Sequence, residues 1–186
     1  MTKKNILWLL LAVLLVALLV IAAIVYNGLK DGDKPDNLAD AQTETEDGSD
    51  KVKAPDFTML DYGGNEVKLS ELFGKPIVLN MWASWCPPCK AELPDFENSF
   101  KERGDIQFVM LNMTGNGETL ATAKQYIDSE GFTFPVYFDT AQEASYLYGA
   151  TSIPMTFFID KDGNVVTHAV GMIDAATLAR GIDMID

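Results

Sequence analysis

Residues 77–94 read IVLNMWASWCPPCKAELP. Ile77 to Ala83 is a nearly continuous apolar run, the pattern of a strand buried on both faces of a sheet, which places it at the centre of the fold. From Pro87 to Arg103 the residues Leu93, Phe96 and Phe100 form a helical stripe. Pro94 interrupts it, which predicts a helix kinked near that proline. Cys86 and Cys89 therefore fall where a buried strand gives way to a helix.

That position carries the chemistry. A thiol at a helix N-terminus meets unpaired backbone N–H groups and the positive end of the macrodipole, which favour its thiolate. Cys86 is the expected nucleophile, exposed where the helix begins. Cys89, three residues on and on the same side of the helix, is placed to attack a mixed disulfide and release reduced substrate. Pro87 and Pro88 are tolerated between them because first-turn N–H groups have no intrahelical partner to lose.

The chain has 186 residues, two cysteines and one histidine. Cys86, Cys89 and His168 cannot fill a tetrahedral zinc site without a carboxylate that no spacing signals. A Cys86–Cys89 bridge closes almost no loop, so it would not serve as a structural staple. His168, remote in sequence from the thiols, reads as structural. No flavin, haem or metal cofactor is implied, since two sulfurs carry both electrons. The formal net charge of −13 argues against nucleic acid as a partner, because phosphate neutralisation needs clustered Lys and Arg. It reads as a solvated acidic surface.

Three segments follow from composition. Residues 1–29 hold a basic lead, with Lys3 and Lys4, and the unbroken apolar run Ile6 to Val25, matching the roughly 20 residues a membrane-crossing helix needs. A cleavable signal would have a shorter apolar stretch and a small-residue cleavage site; Ile24, Val25, Tyr26 and Asn27 fit an interfacial anchor better. A short basic N-terminus retained in the cytoplasm predicts a single-pass cell-membrane protein, N-in and C-out, with an extracytoplasmic catalytic domain. Residues 30–53 are acidic and almost free of apolar side chains, which predicts a flexible tether. Residues 54–186 form one folded domain.

Within the domain, strands around Phe57 to Leu60 and Val67 to Leu69 flank the turn signal Gly63-Gly64-Asn65, predicting a hairpin. After the central strand and the Cys-bearing helix come a strand at Ile106 to Leu111, a helix at Thr119 to Glu130, a strand at Val136 to Asp139 and a short helix at Gln142 to Tyr148. Such alternation implies an α/β fold with a parallel core and crossover helices. Met155 to Asp160 and Asn164 to Ala169 read as a terminal antiparallel hairpin. A last helix begins near Asp174, a candidate N-cap.

The stretch VLNMWASWCPPCKAELP resembles the active site of the thioredoxin superfamily, and within it the membrane-tethered TlpA/ResA-type thiol-disulfide oxidoreductases. The likeness spans residues 54–186, including the APDF start and the SIPMTFFID segment. It implies a thioredoxin-like three-layer fold, a central mixed sheet flanked by helices, with an extra helix-strand insertion between Leu111 and Asp139. It also implies that Ile153 and Pro154 form a cis-proline loop lying against the disulfide and pairing its backbone with substrate. Trp85 matches the tryptophan preceding the nucleophile, and Glu92 a glutamate credited with tuning thiol ionisation and proton transfer. The implied partners are a protein substrate bearing a disulfide and a membrane thiol-disulfide transporter as electron donor. The implied substrates are apocytochrome c cysteines or an extracellular methionine sulfoxide reductase.

Two residues depart from the pattern. Asn80 stands where thioredoxin proper has a buried aspartate acting as proton acceptor, which leaves that role to Glu92 or water. Met155 stands where many relatives have threonine after the cis-proline.

Plainer readings stand beside these. Glu92 also fits a solvated first-turn acid favoured by the helix dipole, Pro154 a trans proline at a strand edge, and Trp82 and Trp85 simple packing. The function expected is an extracytoplasmic thiol-disulfide oxidoreductase reducing protein disulfides through Cys86 and Cys89. A thiol peroxidase is the alternative enzyme, although its P-x-x-x-[ST]-x-x-C pattern would need proline at Leu79 and Ser or Thr at Ala83. A tethered adaptor whose Cys pair senses redox state is the non-enzymatic one.

Overall fold

The computed structural model describes residues 14, 15, 18, 20, 21, 38–40, 51–115 and 117–186. The lead and most of the apolar run expected to anchor the chain lie outside the described residues. Leu14, Leu15, Leu18, Val20 and Ile21 are helical and exposed. Among the described residues no helix is long and apolar enough to cross a membrane.

The strands are β1 (Leu38–Asp40), β2 (Thr58–Leu60), β3 (Glu66–Lys68), β4 (Ile77–Trp82), β5 (Gln107–Asn112), β6 (Val136–Phe138), β7 (Met155–Ile159) and β8 (Val165–Val170). The helices of the domain are α1 (Pro87–Glu102), α2 (Leu120–Glu130), α3 (Glu143–Leu147) and α4 (Ala175–Asp183), with a 3-10 turn at Leu69–Leu72. They build one mixed sheet in the order β1-β8-β7-β4-β5-β6-β2-β3. β4, β5 and β6 run parallel, while β7 and β8 on one side and β2 and β3 on the other pair antiparallel. The central strand is β4, buried along its whole length.

Side-chain alternation along β4 divides the core. Val78 and Trp82 pack with Leu93 and Phe96 of α1, Ala123 and Ile127 of α2, and Leu178 and Ile182 of α4. Ile77, Leu79 and Met81 pack on the opposite side with Phe57, Leu69 and Ala144. Helices thus cover both faces, the three-layer arrangement that the resemblance implies. Asn80 falls by the same alternation on the α1 side. There it stands opposite Thr156 in the β4–β7 register.

The expected elements appear within a residue or two of their predicted bounds, and Pro94 lies inside a helix assigned without a break. The helix and strand expected between Leu111 and Asp139 are α2 and β6. Asp174 caps α4, accepting from the Thr177 amide at 3.0 Å.

The tether departs from expectation. Residues 38–40 form an edge strand antiparallel to β8, pairing Leu38 with Ala169 and Asp40 with Thr167. Thr167 Oγ1 also donates to the Ala39 carbonyl at 3.0 Å. Val52 and Lys53 pair with the strand around Asn164 and Val165. Composition predicts flexibility because it counts buried side chains; an edge strand is held instead by main-chain hydrogen bonds, which any sequence without proline can make.

Candidate active site

β4 delivers the chain to the active-site end of the sheet, and Ala83 to Trp85 turn it into α1. Cys86 is the N-cap, in extended conformation with φ −89° and ψ 106°. Its sulfur accepts from the Cys89 amide at 3.2 Å, so one orphan N–H of the helix start is satisfied by sulfur. Pro87 and Pro88 occupy the first helical positions, where a missing N–H costs nothing. Cys86 and Cys89 are joined as a disulfide, their Cα atoms 5.3 Å apart.

The Ile153-Pro154 peptide is cis, as the resemblance implies and against the trans alternative. The Ile153 carbonyl oxygen lies 3.8 Å from Cys86 Sγ. The Pro154 carbonyl accepts from the Gly171 amide at 2.8 Å, tying this loop to the turn after β8. Cys86, Cys89, Ile153 and Pro154 are therefore assembled from segments almost 70 residues apart in sequence, with Cys86 and Ile153 separated by 67.

Two expectations about exposure need correction. Cys86 is only 3% exposed and Cys89 is buried, so in the disulfide form the expected nucleophile is recessed rather than open at the helix start. The neighbouring residue that reaches solvent is Trp85, at 53% exposure. Trp82 is the buried packing residue, its ring 6.0 Å from that of Tyr126. Val170 and Met172, flanking the glycine that binds the Pro154 carbonyl, are also exposed.

Glu92 is not a solvated first-turn acid. It is 1% exposed on the inward side of α1, along with Cys89. Its Oε1 accepts from Asn80 Nδ2 at 2.8 Å and its Oε2 from the Ile173 amide at 3.0 Å. Burial pushes this carboxyl up to about 7, and Asp95 adds to the rise; the hydrogen bonds from Ile173 and Asn80 only partly offset it. A carboxyl poised there can take or give a proton near neutrality.

Residues without a motif also hold the site. Glu118 is buried, and its carboxylate accepts from the Ser84 amide, the Ser84 hydroxyl at 3.0 Å and the Thr122 hydroxyl. It pins the turn leading to Cys86 onto the start of α2. Asp139, also buried, accepts from the Ala144 and Ser145 amides at the start of α3. Neither has a spacing signature; only Thr156, two residues past Pro154, lay within a quoted stretch. His168 stacks on Phe157 with ring centroids 5.5 Å apart, consistent with a structural part.

Comparisons with known proteins bear on this arrangement. Residues 51–168 match a family model described as the AhpC/TSA family. Over 188 residues the chain is 31% identical to the thiol-disulfide oxidoreductase ResA of Bacillus subtilis (strain 168), covering 100% of this chain and 96% of that protein. With ResA of Oceanobacillus iheyensis it shares 34% identity over 175 residues, covering 89% of this chain and 81% of that protein. Among solved structures it resembles a thiol:disulfide interchange protein of the thioredoxin family from Chlorobium tepidum TLS, with TM-score 0.64 and 31% identity over 75% of this chain and 99% of that one. It also resembles StoA from Bacillus subtilis, with TM-score 0.61 and 26% identity over 71% of this chain and 98% of that one.

Proposed function

This chain belongs to the AhpC/TSA family and, within it, to the ResA-type thiol-disulfide oxidoreductases, and from that premise we propose that it reduces protein disulfides at the outer face of a membrane. The observation that carries the chemistry is the Cys86–Cys89 disulfide at the N-cap of α1, with the Ile153 carbonyl against Cys86.

The cycle follows from these groups. A membrane thiol-disulfide transporter supplies two electrons and opens the Cys86–Cys89 bond to a dithiol. The Cys89 amide and the helix start favour the Cys86 thiolate. That thiolate attacks a substrate disulfide, forming a Cys86–substrate bond and expelling the other substrate sulfur as a thiolate. Cys89 then gives its proton to the Glu92 carboxylate and attacks Cys86, restoring the Cys86–Cys89 bond. The second substrate sulfur leaves as a thiolate, so the substrate gains two electrons and this chain loses two. Trp85, with Ile153 and Pro154, offers the surface on which an extended substrate segment lies. Suitable substrates are apocytochrome c cysteines or an extracellular methionine sulfoxide reductase.

The sequence supports anchoring by residues 1–29 with the domain outside. Protease treatment of intact cells or spheroplasts tests this: digestion of the domain with retention of a membrane-bound N-terminal fragment is expected. Turbidimetric reduction of insulin by dithiothreitol tests the chemistry, with acceleration by the native chain and none by the Cys86→Ser, Cys89→Ser form. The peroxidase reading finds Leu79 and Ala83, both buried apolar residues, where its pattern needs proline and a hydroxyl.

A further inference from the structure

We propose that Glu118 is a positioning residue for the exchange reaction: its carboxylate fixes the turn that carries Trp85 and Cys86, and with it the direction in which the Cys86 sulfur meets a substrate disulfide. The inference rests on Cys86 being the sulfur that attacks. The Cys86 amide donates to the Ala83 carbonyl at 3.2 Å and closes a turn whose two corners are Ser84 and Trp85. Trp85 is exposed, whereas Ser84 is half-buried and donates twice to Glu118, by its amide to one carboxylate oxygen and by its hydroxyl to the other at 3.0 Å. Two bonds from one residue to both oxygens fix a rotation as well as a distance.

The far end of the contact is held as firmly. Glu118 is buried, and its own amide and carbonyl pair with Gly115 at 2.9 and 3.0 Å. The next residue, Thr119, is the N-cap of α2 and shares a capping box with Thr122. The Thr122 hydroxyl donates to the same Glu118 oxygen that takes the Ser84 hydroxyl. Exchange gives this tie a purpose beyond folding. Attack needs the incoming sulfur aligned with the bond it breaks, and a displacement of about 1 Å can cost roughly 10²-fold in rate. In the disulfide form the Cys86–Cys89 bond itself restrains the turn. In the dithiol, the form that attacks, that bond is gone, while the Ser84–Glu118 bonds involve neither sulfur and hold in both forms.

Mixing the dithiol form of the full chain with insulin in single-turnover exchange, stopped by alkylation, measures the rate of Cys86 attack. Glu118→Ala, which strips the turn of its acceptor, should lower that rate about tenfold or more. Glu118→Gln should restore it to within about threefold of native, because the new amide oxygen accepts from the Ser84 N–H and its NH2 donates to the Ser84 hydroxyl, which turns to accept. If the charge near Cys86 mattered instead, both substitutions would shift the rate alike. Ser84→Ala, which loses only the hydroxyl, should lower the rate about threefold. Adding it to Glu118→Ala should cost nothing more, since both act through one contact. Circular dichroism establishes that each variant is folded at the assay temperature; a merely structural role would leave folded molecules with the native rate. A native rate in folded Glu118→Ala, or an equal loss in Glu118→Gln and Glu118→Ala, overturns the inference. Should Glu118→Ala not fold, Ser84→Ala decides, and a native rate there overturns it. Attack on insulin by Cys86→Ala would instead overturn the reading of Cys86, and this one with it.

Discussion

At Glu92 the surroundings set protonation. Cys89→Ala leaves the first attack intact and removes the second, so it should accumulate a mixed disulfide visible by non-reducing electrophoresis and identifiable by mass spectrometry; Cys86→Ala should form none. Glu92, raised from 4.5 to about 7 by burial, is ionised only at and above neutrality, so resolution by Cys89 should slow as pH falls through 7. Glu92→Gln should flatten that dependence in stopped-flow exchange. The same shift affects stability: the fold favours the neutral carboxyl, so its contribution is fully present below about 4.5 and lost as pH rises to about 7. Relative to the native chain, Glu92→Gln should therefore be more stable at pH 8 than at pH 5 by roughly 3 kcal/mol in chemical denaturation.

Single elements carry opposed demands, and α1 shows it best. Five residues beyond Glu92 on that helix, Glu97 is also buried, yet its carboxyl is held below the usual range. Burial pulls upward, but the Thr133 hydroxyl at 2.6 Å, the Thr133 and Phe134 amides and Lys101 at 2.9 Å outweigh it. This carboxylate fastens α1 to the loop between α2 and β6, and its contribution is lost as pH falls through its lowered value. Glu97→Ala should cost about 1 to 3 kcal/mol at pH 7, from amides left unpaired. On α4, Gly181 lies against the Phe158 ring, and a Cβ there would come within 2.2 Å of it. Phe158 is fully buried and has nowhere to retreat. Gly181→Ala should lower stability by about 1 to 3 kcal/mol, measured by thermal unfolding.

For the molecule as a whole, the edge strand β1 changes where the domain begins. β1 runs antiparallel to β8, so Leu38 lies at the end of the sheet that holds Gly171 and Pro154. The chain therefore joins the sheet beside the cis-proline loop. A chain starting at residue 37 should be more stable than one starting at residue 42 by about 1 kcal/mol or less, because three short-strand residues offset hydrogen bonds with ordering entropy. Both should reduce insulin alike. Hydrogen exchange at the β8 amides that face β1 should be slower in the longer form, while those that face β7 should be protected in both.

Much of this was legible in the sequence because it is local. The apolar run Ile77 to Ala83, the C-P-P-C junction, the helix-strand alternation and the Asp174 cap depend on residues adjacent in the chain, whose periods and capping chemistry read directly. The candidate nucleophile Cys86 and its candidate resolving partner Cys89 follow from helix geometry over three residues. Resemblance supplied Pro154 and Glu92 as candidates, but only the tertiary structure decided what they are. It buries Glu92 between Asn80, 12 residues away, and Ile173, 81 residues away, and desolvation, which sets its ionisation, exists only once the layers close. The same closure recesses Cys86, leaves Trp85 in solvent, and lets Glu118 reach Ser84. Those contacts join segments that share no period or motif, and the packing of α1 against the sheet alone brings them together.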